Sequence, residues 1–420
     1  MTVRLGILGA TRGLNFAFAA RKGALKNVVI SAVCDCYQPL LEKVRAQMPE
    51  HGFQPVYYSD YSQMLRDSNV DAVIIANNAT EHAPAAIAAL NAGKHVFSEC
   101  LPTQTLAQAV ELAETMERSG KHYYYAESYC YFRANFEAAL RCRRGEIGDV
   151  VHVECEFIND CTNRWHILTR GLRNHWRNFV PATFYCTHSI GPVLFAVRQR
   201  PVKVTGYEIK SQEYIAKHGA RCGTAGVEMM ELANGVYVKS LHGNLKRPWV
   251  TRMNLYGTKG TLEVVNASTL YRYTDTGEAY SGFNAEQITE WTGIPGIPAA
   301  VMADADLFEL WCFVESLEGN PVAKEYSIDV YSALNMSLPG LLAYRSILAG
   351  GVPVAIPDMS SAADRELYRT DRKCTDPAAD PEDRLPSCSK GEIEQPDSVY
   401  ELESRKMDEY MKNSFKLGMN

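Results

Sequence analysis

The first 126 residues alternate between short apolar runs and helix-like segments, and this alternation constrains the fold more than any other feature of the chain. The apolar runs are Arg4–Leu8, Val28–Val33, Asp71–Ala76 and His95–Ser98. Two helical segments, His82–Asn91 and Leu106–Arg118, each run into a glycine, as helix C-termini commonly do. Strands separated by helices are typical of a parallel sheet with crossover helices. We therefore predict an α/β domain over residues 1–126.

From about Val150 the pattern changes to extended runs in close succession. These runs are Val150–Phe157, Val202–Ile209, Val236–His242, Arg252–Leu255 and Thr261–Val264, with a hairpin turn expected at Gly257–Gly260. Such a succession predicts an open, mainly antiparallel sheet. Helical patterns over Asp304–Leu317 and Ile328–Ala349 close this part of the chain. We predict a second α/β domain over residues 127–357 that binds substrate and joins subunits into a homo-oligomer, either a dimer or a tetramer.

Residues 358–420 form a charged extension that contains proline. The stretch Asp376–Ser398 is rich in both, which predicts irregular, solvated structure. A short amphipathic helix is expected at Val399–Phe415. Two placements of this extension remain open, namely a strap over the protein's own surface or an arm that reaches a neighbouring subunit.

Charge and cysteine spacing exclude several classes of partner. The formal net charge is −6 and the basic residues are scattered, so no electrostatic footprint for nucleic acid or a membrane surface is present. We find neither a signal peptide nor 18 consecutive apolar residues, and we expect a cytoplasmic protein. None of the twelve cysteines forms a CxxC pair, which favours reduced structural thiols and no metal site.

The stretch LGILGATRGLN, residues 5–15, leads from the first strand into a glycine turn. Glycines in such a turn let the backbone approach a pyrophosphate, and the following helix N-terminus offsets its charge. Thr11 stands where a dinucleotide fingerprint has glycine, and its hydroxyl is expected to meet phosphate instead. The second strand ends in Asp35, where an acid can bind both ribose hydroxyls and repel a 2′-phosphate. These features predict NAD as cofactor in preference to NADP.

Three stretches resemble the N-terminal half of Gfo/Idh/MocA oxidoreductases: LGILGATRG, SAVCD and VDAVIIANNATEHAPAAIAALNAGKHVFSEC. The resemblance extends to about Pro357 and implies an NAD-binding Rossmann domain followed by the open-sheet domain. In that family NAGKHVFSE leads into a Glu-Lys-Pro motif whose lysine assists hydride transfer at a sugar or cyclitol carbon. Here Glu99 is followed by Cys100, so the glutamate is present and the lysine is absent. The predicted cofactor-binding residues are Gly9, Thr11, Arg12, Gly13, Asp35, Asn77, His82 and Glu99.

Three other stretches resemble glycoside hydrolase family 109, which also lacks this lysine: ESYCYFR, YCTHSIGPV and DVYSALNMSLPGLLAYRSILAGGVPVAIPDM. Members of that family are NAD-dependent glycosidases. In them NAD⁺ oxidises the sugar at C3, the ketone acidifies the C2 proton, the aglycone is eliminated, water adds, and C3 is reduced again. The resemblance implies the same chemistry here.

The resemblance assigns catalytic roles to three residues. His188 would take or return the C3 hydroxyl proton, and Tyr185 would act as an acid or base, the base role requiring a lowered phenol pKa. Glu127 follows the strand HYYYA, at the sheet edge where ligands bind. The predicted substrate-binding residues are Asp160, Trp176 and Arg177.

Two residues of the second domain depart from family 109. Where a tyrosine and then a histidine are expected, this chain has Phe157 and Asn159. The N-acetylgalactosamine specificity of that family therefore does not carry over, and the group that removes the C2 proton is missing or has moved. We predict a redox-assisted glycosidase, with a sugar dehydrogenase or 3-keto-glycoside reductase as the alternative. A nucleotide-binding regulator without catalysis is the third possibility.

Overall fold

The computed structural model describes residues 2–23, 25–278, 282–391 and 393–417. Its N-terminal sheet has six strands: β1 (Val3–Leu8), β2 (Val28–Cys34), β3 (Val56–Tyr58), β4 (Ala72–Ile75), β5 (His95–Glu99) and β6 (Tyr123–Ala126). All neighbouring pairs are parallel, in the order β3-β2-β1-β4-β5-β6. This doubly wound order places the carboxyl ends of β1 and β4 side by side, where the chain reverses direction across the sheet.

Crossover helices cover both faces of this sheet. They are α1 (Arg12–Lys22), α2 (Gln38–Gln47), α3 (Tyr61–Arg66), α4 (His82–Asn91) and α5 (Leu106–Ser119). The Thr105 side chain accepts a hydrogen bond from the Gln108 N–H and so caps α5. The predicted helix at His82–Asn91 is confirmed, and so is the parallel α/β character of the domain.

The second sheet has nine strands: β7 (Val150–Ile158), β8 (Pro201–Ile209), β9 (Ala225–Leu232), β10 (Tyr237–Gly243), β11 (Val250–Gly257), β12 (Gly260–Asn266), β13 (Thr269–Asp275), β14 (Phe283–Ile288) and β15 (Val354–Ala355). Their order is β14-β13-β12-β11-β7-β10-β9-β8-β15, and only β7 with β10 is parallel. The expected open, mainly antiparallel sheet is confirmed. The sequence did not indicate β14, because five of its six residues are exposed and no apolar alternation marks it.

Helices of the second domain pack on the nine-stranded sheet, on one another and on the first domain. They are α6 (Arg133–Arg143), α7 (Trp165–Thr169), α8 (Thr187–Val197), α9 (Glu213–Ala216), α10 (Ala299–Met302), α11 (Ala305–Leu317), α12 (Pro321–Tyr326) and α13 (Val330–Leu348). Helix α8 packs on β7, β10 and β11, while α11 crosses to α1 of the first domain. Exposed apolar side chains lie on the sheet strands at Val151, Tyr207, Met229 and Tyr237. The oligomer expected through this sheet stays a prediction.

The C-terminal extension follows the protein's own surface and contains α14 (Ala362–Tyr368) and α15 (Asp397–Asn413). Helix α14 packs on α5, and α15 packs on α7, where a Cβ at Gly171 would lie 2.2 Å from the Ser404 nitrogen. Past α15, the Leu417 N–H donates to Gln47 of the first domain at 2.9 Å. The described part of the extension is therefore a strap that joins both domains. In the described residues, no helix combines the length and apolarity needed to cross a bilayer.

His242, on β10, gives the fold a predictable acid sensitivity. Its side chain is 1% exposed, and burial lowers its pKa from 6.5 to about 4. Below pH 6.5 the unfolded chain takes up this proton first, so unfolding becomes easier as the pH falls towards 4. One such group shifts the free energy of unfolding by up to about 3 kcal/mol over that range.

We expect the stability of the wild type, measured by urea unfolding at pH 7 and pH 4.5, to fall with acid. The free energy of unfolding of His242→Gln should fall by a smaller amount. Some fall should remain, because burial also lowers the pKa of His95 to about 4 and that of His175 to about 3. Equal falls in the two proteins would contradict the assignment.

Candidate active site

A cleft of about 460 Å³ lies between the two domains, at the carboxyl ends of the parallel strands. It is lined by Arg12, Asn15, Glu99, Cys100, Ser128, Tyr129, Phe132, His188, Asp304, Ala305 and Asp306. The lining comes from the first turn of α1, the end of β5 and the residue after it, the segment after β6, the first turn of α8 and the start of α11. Ligands of doubly wound sheets bind at this edge, so the cleft is the candidate active site.

Glu127 and His188 form a hydrogen-bonded pair at the base of this cleft. The His188 Nδ1 lies 3.0 Å from Glu127 Oε1, and the Thr187 hydroxyl donates to Oε2 at 2.7 Å. Glu127 is fully buried, whereas the His188 side chain is 16% exposed. With Nδ1 donating to the carboxylate, the other ring nitrogen, Nε2, carries a free lone pair. His188 is thereby set up to accept a proton.

The Glu127 carboxylate stays ionised despite its burial. Burial on its own opposes the charge, but the facing His188 and the hydrogen bonds from His188 and Thr187 together lower the pKa of Glu127 below its usual value. An ionised partner stabilises the imidazolium that forms when His188 takes a proton.

Cys100 is a third donor to the same carboxylate. Its Sγ lies 3.2 Å from Glu127 Oε2, and burial together with the Glu127 charge raises the thiol pKa well above its usual value. Cys100 is thus a protonated thiol that helps to hold Glu127 in place. The atoms of Cys100, Glu127 and His188 that could ligate a metal ion lie within 4.8 Å of one another. Each of these residues already takes part in this hydrogen-bond network.

Tyr185 lies beside His188, with the ring centroids 5.4 Å apart. Burial raises the pKa of Tyr185 to about 12, so the lowered value that a base would need is absent. The phenol is protonated at neutral pH, so of the two predicted roles only that of an acid remains a prediction. The Arg177 guanidinium stacks over Trp176 at 4.6 Å and over Tyr185 at 5.3 Å. These three side chains form one cluster behind the cleft lining.

Asp160 lies two residues after the end of β7 and is not among the residues that line the cleft. Its carboxylate accepts hydrogen bonds from Thr162 and, at 2.8 Å, from Lys246. The substrate-binding roles of Asp160, Trp176 and Arg177 stay predictions, because the described cleft lining does not include them.

The glycine turn has the shape that a dinucleotide requires. Gly9 has a φ of +96°, and a Cβ there would lie 2.4 Å from the Ala76 carbonyl oxygen. A Cβ on Gly13 would lie 2.5 Å from the Ile7 side chain. Because neither glycine carries a Cβ, β1, β4 and α1 can come close together. The N-terminus of α1 then opens onto the turn.

Asp35 and Asn77 flank this turn with unused acceptor capacity. The Asp35 carboxylate accepts the Ala10 and Tyr37 N–H groups, both at 2.9 Å, which leaves two of its roughly four lone-pair sites. Asn77 Oδ1 is buried and has no hydrogen-bond partner among the described residues. Free acceptors beside a glycine cradle fit the ribose hydroxyls and amide groups of a dinucleotide.

The other predicted cofactor residues have distinct surroundings. Arg12 binds Glu99 and Asp306, the latter through two hydrogen bonds of 2.5 and 2.8 Å. Thr11 is exposed and its side chain makes no capping bond to α1. His82 is 1% exposed, and its Nδ1 faces the carbonyls of Glu99 and Leu101 at 2.8 and 3.0 Å. His82 thus holds the segment after β5 in place, and direct cofactor contacts by these residues stay predictions.

Sequence reasoning missed several residues of the cleft. Ser128 and Asp306 both bind Arg12, and Thr187 binds Glu127. Tyr129 packs on His188 with ring centroids 4.4 Å apart. The string ESYCYFR already contained Ser128 and Tyr129 beside Glu127, but nothing in the sequence indicated that α11 would bring Asp306 to the same place.

A family model supports the interpretation of the glycine turn. Residues 3–127 match the Gfo/Idh/MocA oxidoreductase family, described as having an NAD-binding Rossmann fold. The N-terminal domain is a Gfo/Idh/MocA Rossmann domain. NAD is its cofactor, as the turn and Asp35 predict.

Relatives extend the similarity beyond residues 3–127 and through the second domain. Glycosyl hydrolase family 109 protein 2 of Bacteroides fragilis YCH46 is 24% identical over 407 residues, covering 87% of this chain and 94% of its own. An alpha-N-acetylgalactosaminidase of B. fragilis ATCC 25285 gives the same identity and coverage. A family 109 protein of Shewanella sp. W3-18-1 is 29% identical over 202 residues, covering 46% of this chain and 43% of its own.

Solved structures share the two-domain fold. An oxidoreductase domain protein from Kribbella flavida aligns with a TM-score of 0.69 and 19% identity, over 85% of this chain and all of its own. Levoglucosan dehydrogenase, solved with NADH and levoglucosan, gives a TM-score of 0.69 and 17% identity with the same coverage. At these identities the likeness establishes the fold alone.

The ribose assignment of Asp35 predicts a change in cofactor choice. Asp35→Ala removes the acceptor for the ribose hydroxyls and the charge that repels a 2′-phosphate. We expect NAD affinity to fall by about 10- to 100-fold and the preference for NAD over NADP to narrow, as titrations with both nucleotides would measure. Cys36→Ala, at the exposed neighbouring position, is the control. Unchanged affinities for both nucleotides in Asp35→Ala would contradict the assignment.

Proposed function

We propose that this protein is an NAD-dependent, redox-assisted glycosidase that acts on carbohydrate glycosides. The observation that carries the proposal is the ionised Glu127 paired with His188 in a cleft at the NAD-binding edge of the sheet. This pair supplies a proton acceptor where the lysine of the wider family is replaced by Cys100. A dehydrogenation step therefore remains possible without the lysine.

The relatives that span both domains support hydrolysis over net oxidation. Two of them, each covering 87% of this chain, are named a family 109 glycosyl hydrolase and an alpha-N-acetylgalactosaminidase. Glycosidases that oxidise a sugar transiently keep one cofactor through every turnover. The strap formed by α15 and the residues after it joins the two domains that close on the cleft, and this supports prolonged retention of NAD.

Bound NAD⁺ supplies a hydride acceptor for a sugar carbinol carbon and can return the hydride later, so that turnover carries no net redox change. Within that cycle His188 Nε2 accepts the C3 hydroxyl proton and gives it back when the ketone is reduced. Glu127 stabilises the transient imidazolium, while Cys100 and Thr187 hold the carboxylate by hydrogen bonds.

The first test is NMR of the purified protein in heavy water with a panel of glycosides and no added cofactor. Release of free sugar with deuterium at C2 is the expected result, because a C3 ketone acidifies the C2 proton. If sugars are instead oxidised or reduced in proportion to added NAD or NADH and no glycoside is cleaved, the protein is a sugar dehydrogenase or 3-keto-glycoside reductase. Such a result would overturn the glycosidase proposal.

A further inference from the structure

The Glu127–His188 pair does not explain the role of a neighbouring side chain, Tyr129. Its ring packs on His188 at 4.4 Å and on Phe157 at 5.1 Å, and it lines the cleft directly. The neighbouring ring of Phe132 lies 4.9 Å away. Tyr129 is thereby fixed by contacts with several rings, including the imidazole that is proposed to accept the substrate proton.

The hydroxyl of Tyr129 has a donor but no acceptor. The Trp249 indole N–H donates to the phenol oxygen at 3.1 Å. Trp249 is 41% exposed, so this hydrogen bond comes from a side chain that is in contact with solvent. Among the described residues, no acceptor lies within hydrogen-bond distance of the phenolic proton. That proton is free for a substrate atom.

The other hydroxyl and thiol groups of the cleft lining, and the Nδ1 of His188, already donate hydrogen bonds to carboxylates of the protein. Cys100 and the Nδ1 of His188 both donate to Glu127, and the Ser128 hydroxyl donates to Glu309 at 3.0 Å. Glu99 and Asp306 are paired with Arg12 and are therefore acceptors. Asn15 also lines the cleft, but an amide is too weak an acid to give up a proton. Among the hydroxyl and thiol groups of the described cleft lining, the phenol of Tyr129 is the one with an uncommitted proton.

We propose that Tyr129 is a catalytic residue that donates its phenolic proton to the glycosidic oxygen as the leaving group departs. The inference rests on the proposed redox-assisted glycosidase activity and adds a group that activates the aglycone. It also specifies the substrate class. The enzyme would cleave alkyl glycosides and sugar-linked glycosides, whose alcohols are poor leaving groups, and not only activated aryl glycosides.

The step begins from the enolate of the 3-keto glycoside. The enolate oxygen pair re-forms the C3 carbonyl, the C2–C3 π pair becomes the C1–C2 double bond, and the C1–O bond breaks with its electrons on the leaving oxygen. That oxygen takes the proton of Tyr129, which leaves a free alcohol, an enone and a tyrosinate. Burial raises the pKa of Tyr129, so the phenol keeps its proton until the leaving oxygen becomes a strong base. The Trp249 N–H then stabilises the tyrosinate through the hydrogen bond already present.

Addition of water reverses the same transfers. A water oxygen bonds to C1 while the tyrosinate takes one of its protons, and the C1–C2 π pair returns to the enolate. Tyr129 is then a neutral phenol again, and C1 carries a hydroxyl in place of the aglycone. A single residue therefore acts as acid in one half of the cycle and as base in the other.

Leaving-group dependence is the test. Wild type and Tyr129→Phe are compared on methyl and 4-nitrophenyl glycosides of glucose, galactose and their 2-acetamido analogues, both anomers, using the sugar that wild type cleaves. We expect kcat/KM for the methyl glycoside to fall by about 10²- to 10⁴-fold, since its alkoxide needs a proton. For the 4-nitrophenyl glycoside the loss should be about tenfold or less. Deuterium exchange at C2 should continue in the variant, because it precedes expulsion.

Three further variants separate this role from a structural one. Trp249→Phe should give a smaller loss with the same dependence on the leaving group. Tyr185→Phe, also next to His188, should show no dependence of the loss on the leaving group. Tyr271→Phe, on β13 next to the edge strand β14, should behave as wild type. NAD affinity of each variant, measured by titration, reports on folding.

Equal losses by Tyr129→Phe on both leaving groups, or loss of C2 exchange, would overturn the role of Tyr129 while leaving the proposed function intact. If wild type neither cleaves a glycoside nor exchanges C2, the proposed function itself fails and this inference fails with it. The two failures are distinct because the second is read from the wild type alone.

Discussion

Replacing His188 with alanine is expected to reduce kcat by about 10²- to 10⁴-fold while NAD remains bound. The reason is that, in the proposed mechanism, His188 Nε2 accepts the substrate proton, and the Glu127 carboxylate, 3.0 Å from Nδ1, orients the ring. His188 lies in the first turn of α8 and its side chain faces the cleft, whereas the glycine turn lies in the other domain. Turnover of a cleaved glycoside and NAD titration on the same preparation are the measurements. Full activity in His188→Ala would exclude the catalytic role.

Glu127→Gln is the matched variant for that experiment. The amide keeps the size of the carboxylate but loses the negative charge that stabilises an imidazolium. We expect a smaller loss of kcat than in His188→Ala, and a loss that varies with pH, because the variant cannot favour the protonated ring. A double variant that is no worse than His188→Ala would indicate that the two residues act as one unit.

Gly9→Ala is expected to abolish tight NAD binding and to destabilise the fold. The new Cβ would lie 2.4 Å from the Ala76 carbonyl oxygen, which belongs to a backbone that cannot move aside cheaply, and φ is +96°. Strain of this kind costs about 1–3 kcal/mol for the backbone conformation, before the contact is relieved. Urea unfolding and NAD titration would measure the two effects.

Gly120→Ala separates the two causes. Gly120 also has a positive φ, +63°, but a Cβ there would meet nothing within 4 Å. We expect it to cost only about 1 kcal/mol of stability and to leave NAD affinity unchanged. If Gly9→Ala were as mild as Gly120→Ala, the close approach of β1 to the end of β4 would not be what the glycine is needed for.

The sequence was sufficient for the N-terminal domain because its signals are local. Alternating apolar strands and helices, together with Gly9 and Gly13, indicate a parallel sheet with a dinucleotide turn, and the family model over residues 3–127 agrees. The nine-stranded sheet was recognised less completely. Strand β9 contains the buried Glu228, and β14 is mostly exposed, so neither carries the alternation by which a strand is recognised.

The role of Cys100 shows what a motif comparison cannot supply. Comparison with the family motif shows only that Cys100 replaces a lysine. In the fold, its thiol donates a hydrogen bond to Glu127 at 3.2 Å. Tyr185 shows the opposite case. The sequence allowed it to be an acid or a base, and burial, which raises its pKa to about 12, leaves only the acid.

The sequence by itself determined the strand and helix order of the first domain, the glycine turn, the acid that follows β2 and NAD as the cofactor. These depend on neighbours in the chain and on backbone conformation, which a local pattern records. Only the tertiary structure decided that Glu127, from the segment after β6, meets His188 of α8, and that Asp306 of α11 meets Arg12 of α1. Such contacts join residues 61 and 294 positions apart. The residues become buried and their charges become paired only once both domains have packed together.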